Sequence, residues 1–292
     1  MIVITTPTGD IGRQVVDRIL DAGEAVRVIV RDPARLPEHV RAHVDVVRGS
    51  HADADTITKA LDGADRMFWL VPPAGFRDAG DAEHYYLEFT RHAVQEAARR
   101  DVRMVNVTSL GRGYPGEAGL LSAALAMDEM IEAGGVPHRA LALPFFMENL
   151  LRQAPAIKER GTISMANAAD QPLPTVATRD VADAAAAVLL DTSWTGQARI
   201  PLVSPDNLTP DAMVEVISET LGRTVHYRQV PLADFQATLV QRGASPALAQ
   251  DMADMVKAQN DRIYDAEPRD AHPTATEFRR WCRDVLKPAV QA

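Results

Sequence analysis

An α/β chain on a doubly wound parallel sheet, with a smaller and mostly helical C-terminal region, is the fold class this sequence predicts. Three observations predict it. Short apolar runs alternate with helical spacing over residues 1–144. A glycine-containing turn joins the first strand to the first helix. One run, Met67–Val71, is apolar at every position, as expected of a strand covered on both faces of a parallel sheet.

The elements follow in order. Ile2–Thr5 is a strand, Thr6–Gly12 a turn, and Ile11–Ala22 a helix stopped by Gly23. Ala25–Val30 is the second strand and ends on Arg31. Val44–Val47 is a short strand ending at Gly49, and Ala54–Leu61 a helix with Ile57, Ala60 and Leu61 on one face. The apolar strand Met67–Val71 comes next. Asp81–Arg100 has helical spacing at Tyr85, Phe89, Ala93 and Ala97. Val102–Val107 is a strand, Ala126–Ala133 lies in a helix ended by Gly134 and Gly135, and Arg139–Leu143 is a strand stopped by Pro144.

The alternation loosens after Pro144. A helix is expected over Phe145–Lys158, and Thr178 reads as the cap of a helix over Arg179–Leu190. Arg199–Val203 is a late strand. Thr209-Pro210-Asp211 starts a helix that ends at Leu221-Gly222. Val225–Gln229 is a strand and Pro231–Arg242 a helix. Ser245-Pro246 starts another helix, and Thr274–Leu286 is the last. Residues 265–273, rich in charge and proline, read as a mobile loop. The division expected is 1–150 for the sheet domain, with 178–203 returning to it. Residues 151–177 and 204–292 form a smaller cap that supplies the substrate pocket.

The first turn carries chemistry. A helix N-terminus presents free amides and partial positive charge, which suit a pyrophosphate. Gly9 lets the backbone approach the phosphates, and Gly12 lets the helix pack on the strand. Thr6, Thr8, Asp10 and Ile11 complete the cradle. A dinucleotide unit places a ribose-reading residue at the end of the second strand. Here it is Arg31, assisted by Arg35, and an arginine there suits the 2′-phosphate of NADP rather than the free ribose of NAD. The expected cofactor is NADP(H) in preference to NAD(H).

Composition excludes other classes. Hydrophobic content of 46% with 24% charged residues is that of a globular domain. A net charge of -9 argues against nucleic acid, which needs basic patches. No apolar run reaches membrane-helix length. The lone Cys282 makes no internal disulfide and reads as a half-buried helix residue. With the chain opening directly on a core strand, a cytoplasmic location is expected, with a small-molecule substrate as partner and a homodimer left open.

The turn, Leu70-Val71-Pro72-Pro73, Pro144–Asn149, Thr178–Ala182 and Thr220–Arg223 together resemble the NmrA-like branch of the atypical short-chain dehydrogenase/reductase superfamily. The resemblance covers nearly the whole chain. Of the family's Gly-x-x-Gly-x-x-Gly pattern, Gly9 and Gly12 are kept and Thr6 stands in the first place. The resemblance implies a Rossmann fold, with Val71, Pro72, Pro73 and Thr108 along the cofactor and Phe76, Tyr86, Phe145 and Phe146 near the substrate. A typical superfamily member has a serine at the end of the fifth strand and a Tyr-x-x-x-Lys pair on the next helix. Ser109 fits the serine. Residues 120–130 hold neither tyrosine nor lysine, and Tyr114 is the nearest tyrosine.

Two functions compete on that reading. One is an NADPH-dependent reductase of a small conjugated or aromatic substrate, of quinone, enone, azo or imine type, with water, Ser109, Tyr114 or a cap residue delivering the proton. The other is a non-catalytic NADP(H)-binding sensor, and a non-redox enzyme on the same scaffold is a weaker third. Tyr85 reads as core, and Asp128 and Glu129 as an exposed helix face. His51, His138, His226 and His272 have no metal spacing, and no metal is expected.

Overall fold

The first strand, Ile2–Ile4 (β1), is fully buried within the sheet. The computed structural model describes residues 1–72, 81–268 and 273–292. The chain continues through Asp10–Asp21 (α1), Val26–Val30 (β2), Glu38–Arg41 (α2), Asp45–Arg48 (β3), Ala54–Ala60 (α3) and Arg66–Trp69 (β4). Ala82–Arg100 (α4), Arg103–Ser109 (β5), Leu120–Ala133 (α5) and His138–Leu143 (β6) follow. Gln197–Pro201 (named β10 below, after three short strands) later joins the edge of β6, with Gln197 opposite His138.

Among the described residues the sheet has seven strands in the order β10-β6-β5-β4-β1-β2-β3, all parallel. Helices cover both faces, as parallel strands require. One face packs Val15, Val16 and Ile19 of α1 with Val181, Ala185 and Leu189 of Thr178–Leu190, the later helix α7. The other packs Ile57, Ala93, Ala97, Met127 and Ile131 of α3, α4 and α5. This is the expected doubly wound arrangement.

The helix expected over Phe145–Lys158 is not continuous. Phe145–Phe146 is a short strand (β7) paired with Thr175–Val176 (β9), followed by a 3-10 segment Met147–Gln153 and then Ala154–Arg160 (α6). Two aromatic residues directly after Pro144 favour extended backbone over a first helical turn. Thr162–Met165 (β8) pairs with His226–Gln229 (β11), a strand partner that sequence spacing does not reveal. Ala177, not Thr178, is the N-cap of α7, and the Thr178 amide instead donates to the Glu148 carboxylate (3.1 Å).

The remaining helices are Pro210–Leu221 (α8), Leu232–Gln241 (α9), Pro246–Asn260 (α10), Phe278–Trp281 (α11) and Lys287–Gln291 (α12). The last helix starts later than Thr274, because the Thr276 amide and hydroxyl are bonded to Asp180 and the Phe278 amide to Asp206. It also runs past Leu286, through a π-helical turn Cys282–Leu286 in which the Lys287 amide donates to Cys282 O. Of the expected mobile loop 265–273, Asp265 ends the 3-10 turn Ile263–Asp265, Glu267 is buried, and residues 269–272 lie outside the described residues.

Candidate functional site

Strand order puts β1 between β2 and β4, and the chain winds outward in both directions from there. In such sheets ligands bind outside the carboxyl ends at this switch point. Thr5 locks the two strand ends together: its Oγ1 donates to Phe68 O (3.1 Å) and accepts from the Leu70 amide (3.0 Å). The chain then turns at Thr6, whose φ is 50°. That left-handed conformation costs a β-branched residue roughly 1–3 kcal/mol. Thr6 Oγ1 is buried and has no hydrogen-bond partner among the described residues.

Two glycines of the turn play different roles. A Cβ on Gly12 would lie 2.1 Å from Thr6 O, so the fold itself demands glycine there. A Cβ on Gly9 would meet Thr6 O at 3.4 Å, an ordinary contact, so Gly9 is free of the protein on its open side. Gly9 is the N-cap of α1 and makes no side-chain capping bond, so the amides of the first turn face outward unpaired by any cap. Thr8 is half-buried, Asp10 exposed, and Ile11 packed into the core. An uncapped helix start, an open glycine face and an unpartnered buried hydroxyl together fit the pyrophosphate of a dinucleotide.

Arg31 leaves the end of β2 exposed, and among the described residues it has no ion-pair partner. Its charge reaches His51 and Tyr85. Arg35 is exposed on the 3-10 turn Pro33–Arg35, which Asp32 caps by accepting from the Ala34 amide (3.1 Å). His51 is 8% exposed, lies edge-on to Trp69 and Phe89, and sits 3.1 Å by Nε2 from Leu70 O. Burial lowers its pKa to about 4; the bond to the Leu70 carbonyl opposes that shift, and the Arg31 charge adds to it. A neutral imidazole holds that carbonyl only by donating from Nε2. Sequence reading missed this residue, since a lone histidine after a short strand carries no signal.

The β4 end continues through buried Val71 and half-buried Pro72; Pro73 and Phe76 lie outside the described residues. Tyr85 packs on the sheet core as expected, but its hydroxyl also donates to Pro72 O (3.2 Å) and so holds this loop. Tyr86 is half-buried and meets Tyr85 edge-on. Phe145 packs into the C-terminal cluster and Phe146 into the sheet cluster, so the two rings face different cores.

At the β5 end the hydroxyls are already engaged. Thr108 Oγ1 donates to Ala124 O (3.0 Å), and Ser109 Oγ, itself buried, to Leu110 O (2.7 Å). Tyr114 donates to Asp261 Oδ2 (3.3 Å), the oxygen that Lys257 Nζ also reaches at 2.5 Å. Burial and then the Asp261 charge push the Tyr114 pKa up. No hydrogen bond joins Ser109 to Tyr114 among the described residues.

Asp128 corrects the sequence reading: it is fully buried, not on an exposed face, while Glu129 is exposed. It follows Met127 on the buried side of α5 and turns toward the sheet. Its Oδ1 accepts from Asn106 Nδ2 (3.0 Å), and its Oδ2 accepts from Arg112 Nη2 (3.0 Å) and from Arg199. Burial raises its pKa, but His138, Arg199 and Asn106 outweigh this and hold it below the usual carboxylate range. Ligand atoms of Asp128, Glu132 and His138 lie within 4.8 Å of one another. Arg112 and Arg199 already neutralise these carboxylates, which opposes a cation there.

Arg199 also binds Glu267, by Nε to Oε1 (2.6 Å) and Nη2 to Oε2 (2.9 Å), and donates to Ser109 O (2.8 Å). Glu267 Oε2 accepts from the Gly111 (3.1 Å) and Arg112 (3.3 Å) amides. Neither Arg199 nor Glu267 stands in a recognisable motif, and sequence reading missed both. No helix of the described residues is long and apolar enough to cross a membrane.

Comparison with known proteins agrees with this geometry. A family model described as NAD(P)H-binding matches residues 7–192, and one described as the NmrA-like family matches residues 121–281. The chain is 28% identical over 247 residues to a (4-alkanoyl-5-oxo-2,5-dihydrofuran-3-yl)methyl phosphate reductase of Streptomyces griseus, covering 84% of this chain and 83% of the relative. It is 25% identical to quinone oxidoreductase 2 of Escherichia coli, covering 94% of this chain and 96% of the relative. A solved structure of an NADPH-dependent quinone oxidoreductase from Escherichia coli, complexed with NADPH, superposes with a TM-score of 0.78 at 23% identity, covering 100% of this chain and 99% of that one.

Proposed function

The chain belongs to the NAD(P)H-binding, NmrA-like family, and from that premise we propose that it is an NADPH-dependent reductase of a small conjugated or aromatic substrate. The observation that carries this reading is the β1–β4 crevice. There an uncapped α1, the unpartnered Thr6 hydroxyl and the open face of Gly9 share the turn after β1, and Arg31, without an ion-pair partner among the described residues, follows the neighbouring β2. Thr6, Thr8, Gly9, Asp10, Ile11 and Gly12 hold the pyrophosphate, mostly through backbone amides. Arg31 and Arg35 take the 2′-phosphate, which favours NADP(H) over NAD(H). Val71, Pro72 and Thr108 line the rest of the cofactor path. Bound there, the nicotinamide supplies hydride.

The substrate class follows from the engaged hydroxyls. Ser109 and Tyr114 remain the candidate proton donors, yet each must release a partner, Leu110 O or Asp261, to donate elsewhere. That favours an acceptor that takes hydride without concerted proton transfer, its protons arriving from solvent. Quinones, enones, azo compounds and activated imines are such acceptors. The relatives' names support the reading: a 5-oxo-2,5-dihydrofuran and a quinone both conjugate a carbonyl with a ring double bond. Residues 151–177 and 204–292 act as the cap over the substrate, with Phe145 and Phe146 at the seam. The same engaged hydroxyls also suit the second reading, a sensor that binds NADP(H) without turnover.

The test is a fluorescence titration with NADPH and NADH, followed by loss of NADPH absorbance with menadione, an azo dye and an enone. The reductase reading expects NADPH binding and turnover of at least one acceptor. Binding without turnover of any acceptor supports the sensor, and no binding of either cofactor overturns both.

A further inference from the structure

The loop after β5 is held in part by Glu267, 155 residues beyond Arg112. Gly111 has φ 113° and Gly113 φ 90°, so the backbone there passes through regions that only glycine enters cheaply. Such a loop has many conformations to lose, and nothing within residues 109–114 closes it firmly: the local ties are the Ser109 hydroxyl on Leu110 O and the Tyr114 amide on Gly111 O (3.0 Å). The Leu110 amide also donates to Leu143 O of β6 (2.9 Å) and the Arg112 side chain binds Asp128 and Glu132 of α5, while the C-terminal segment and β10 hold the loop backbone at residues 109, 111 and 112. Ile263 fills the place of a side chain at Gly111, where a Cβ would lie 2.5 Å from its Cγ1. Glu267 accepts from two successive loop amides, and Arg199 fixes the same carboxylate by a two-pronged contact while donating to Ser109 O.

Four donors converge on this carboxylate: Oε2 accepts from both amides and from Arg199 Nη2, and Oε1 accepts from Arg199 Nε, so its place is over-determined. Both side chains are about nine-tenths buried, which strengthens each bond and makes it costly to leave one unmade. Burial raises the Glu267 pKa, but the Arg199 guanidinium and the two amides outweigh it and keep the group ionised. The segment is anchored in turn: buried Tyr264 accepts from Gln259 Nε2 (2.9 Å), and Gln259 Oε1 accepts from Asn167 Nδ2 (2.9 Å).

We infer that Glu267 and Arg199 are positioning residues for catalysis, a latch that holds the Ser109–Arg112 backbone in one arrangement against the substrate. The inference rests on the reductase reading for its catalytic meaning, since that reading puts the β5 end beside the reacting atoms. The latch has no part in holding the pyrophosphate, which lies at the other turn. Its loss therefore lowers kcat while leaving cofactor affinity in place.

The experiment uses the full chain with Glu267→Gln, which keeps shape and removes charge, and Arg199→Lys, which keeps charge and removes the fork. Amide hydrogen exchange of a peptide spanning residues 109–113 is measured together with kcat and KM for menadione and the Kd for NADPH. In both variants exchange in that peptide rises by about tenfold or more, as expected on losing charged hydrogen bonds, and kcat falls by a similar factor. NADPH Kd stays within about twofold. Unchanged exchange in Glu267→Gln overturns the latch. A fall in NADPH affinity matching the fall in kcat, with the melting temperature lowered, overturns positioning in favour of a general structural role. If the wild-type chain neither binds NADPH nor turns over menadione, the reductase reading fails on its own, and the exchange measurement still decides the latch.

Discussion

The Thr6–Gly12 turn and the Ser109–Tyr114 turn both sit at carboxyl ends of central strands, yet they are built in opposite ways. The first is closed by its own backbone: the Gly9 amide donates to Thr6 O (3.0 Å), and Gly12 packs against the same carbonyl. It also leaves polar groups unspent, in Thr6 Oγ1 and the uncapped start of α1. The second is closed from outside by Arg199, Ile263 and Glu267, and its hydroxyls are spent on protein partners. A turn with unspent polar groups suits a ligand, and a turn whose hydroxyls and backbone are tied to protein partners suits holding a shape.

The sharpest way to break this contrast is at the two glycines. Gly12→Ala puts a methyl group 2.1 Å from Thr6 O, a backbone atom that cannot move without opening β1. Its expected cost is about 3 kcal/mol or more in urea unfolding. Gly9→Ala meets an ordinary 3.4 Å contact, so stability changes by less than about 1 kcal/mol while NADPH affinity falls. Equal stability losses at the two positions would mean the turn is not organised around Thr6 O.

The difference between the turns also explains what could be read in the sequence. The glycine turn and the alternation of strands and helices to Pro144 rest on local spacing and backbone preference, so the sequence exposes them. Asp128 looked exposed because its partners, Asn106, Arg112 and Arg199, lie on other elements. Glu267 sat in a stretch whose charge and proline suggested a mobile loop, and its anchoring depends on a strand 68 residues earlier. The pairing of β7 with β9 and of β8 with β11 is likewise set by tertiary contact, since segments of two to four residues carry no periodicity.

Acid separates the first turn from the second by stability. His51 supports the β4 end beside the first turn, and its folded pKa of about 4 lies below the ordinary 6.5. Between those values the unfolded chain binds the extra proton, so stability is whole above about pH 6.5 and falls as pH drops toward 4, by at most about 3 kcal/mol. His51→Leu should flatten that slope in urea titrations; an unchanged slope would remove His51 as its source. Asp128 and Glu267, held below the usual range, lose their contribution only at lower pH, as it falls from the ordinary carboxylate values through their folded ones. Next in size, Arg31→Glu removes a phosphate partner and adds repulsion. NADPH Kd should rise about a hundredfold and NADH Kd by no more than a few fold. Equal losses for the two cofactors would detach Arg31 from the 2′-phosphate.

The smallest expected effect is the most discriminating for the second turn. Tyr114 is the tyrosine that proximity in sequence offers as a proton donor, and its bond to Asp261 is long at 3.3 Å and solvent-exposed. A bond of that kind contributes under about 1 kcal/mol, so Tyr114→Phe should leave melting temperature nearly unchanged. If the turn is a held frame and protons come from solvent, kcat for menadione should also stay within about twofold, with the same pH profile near neutrality. A tenfold loss of kcat at constant NADPH affinity would mean that Tyr114 leaves Asp261 and reaches the reacting atoms. The second turn would then be catalytic in its side chains as well as in its backbone, and the contrast with the first turn would hold only for the free protein.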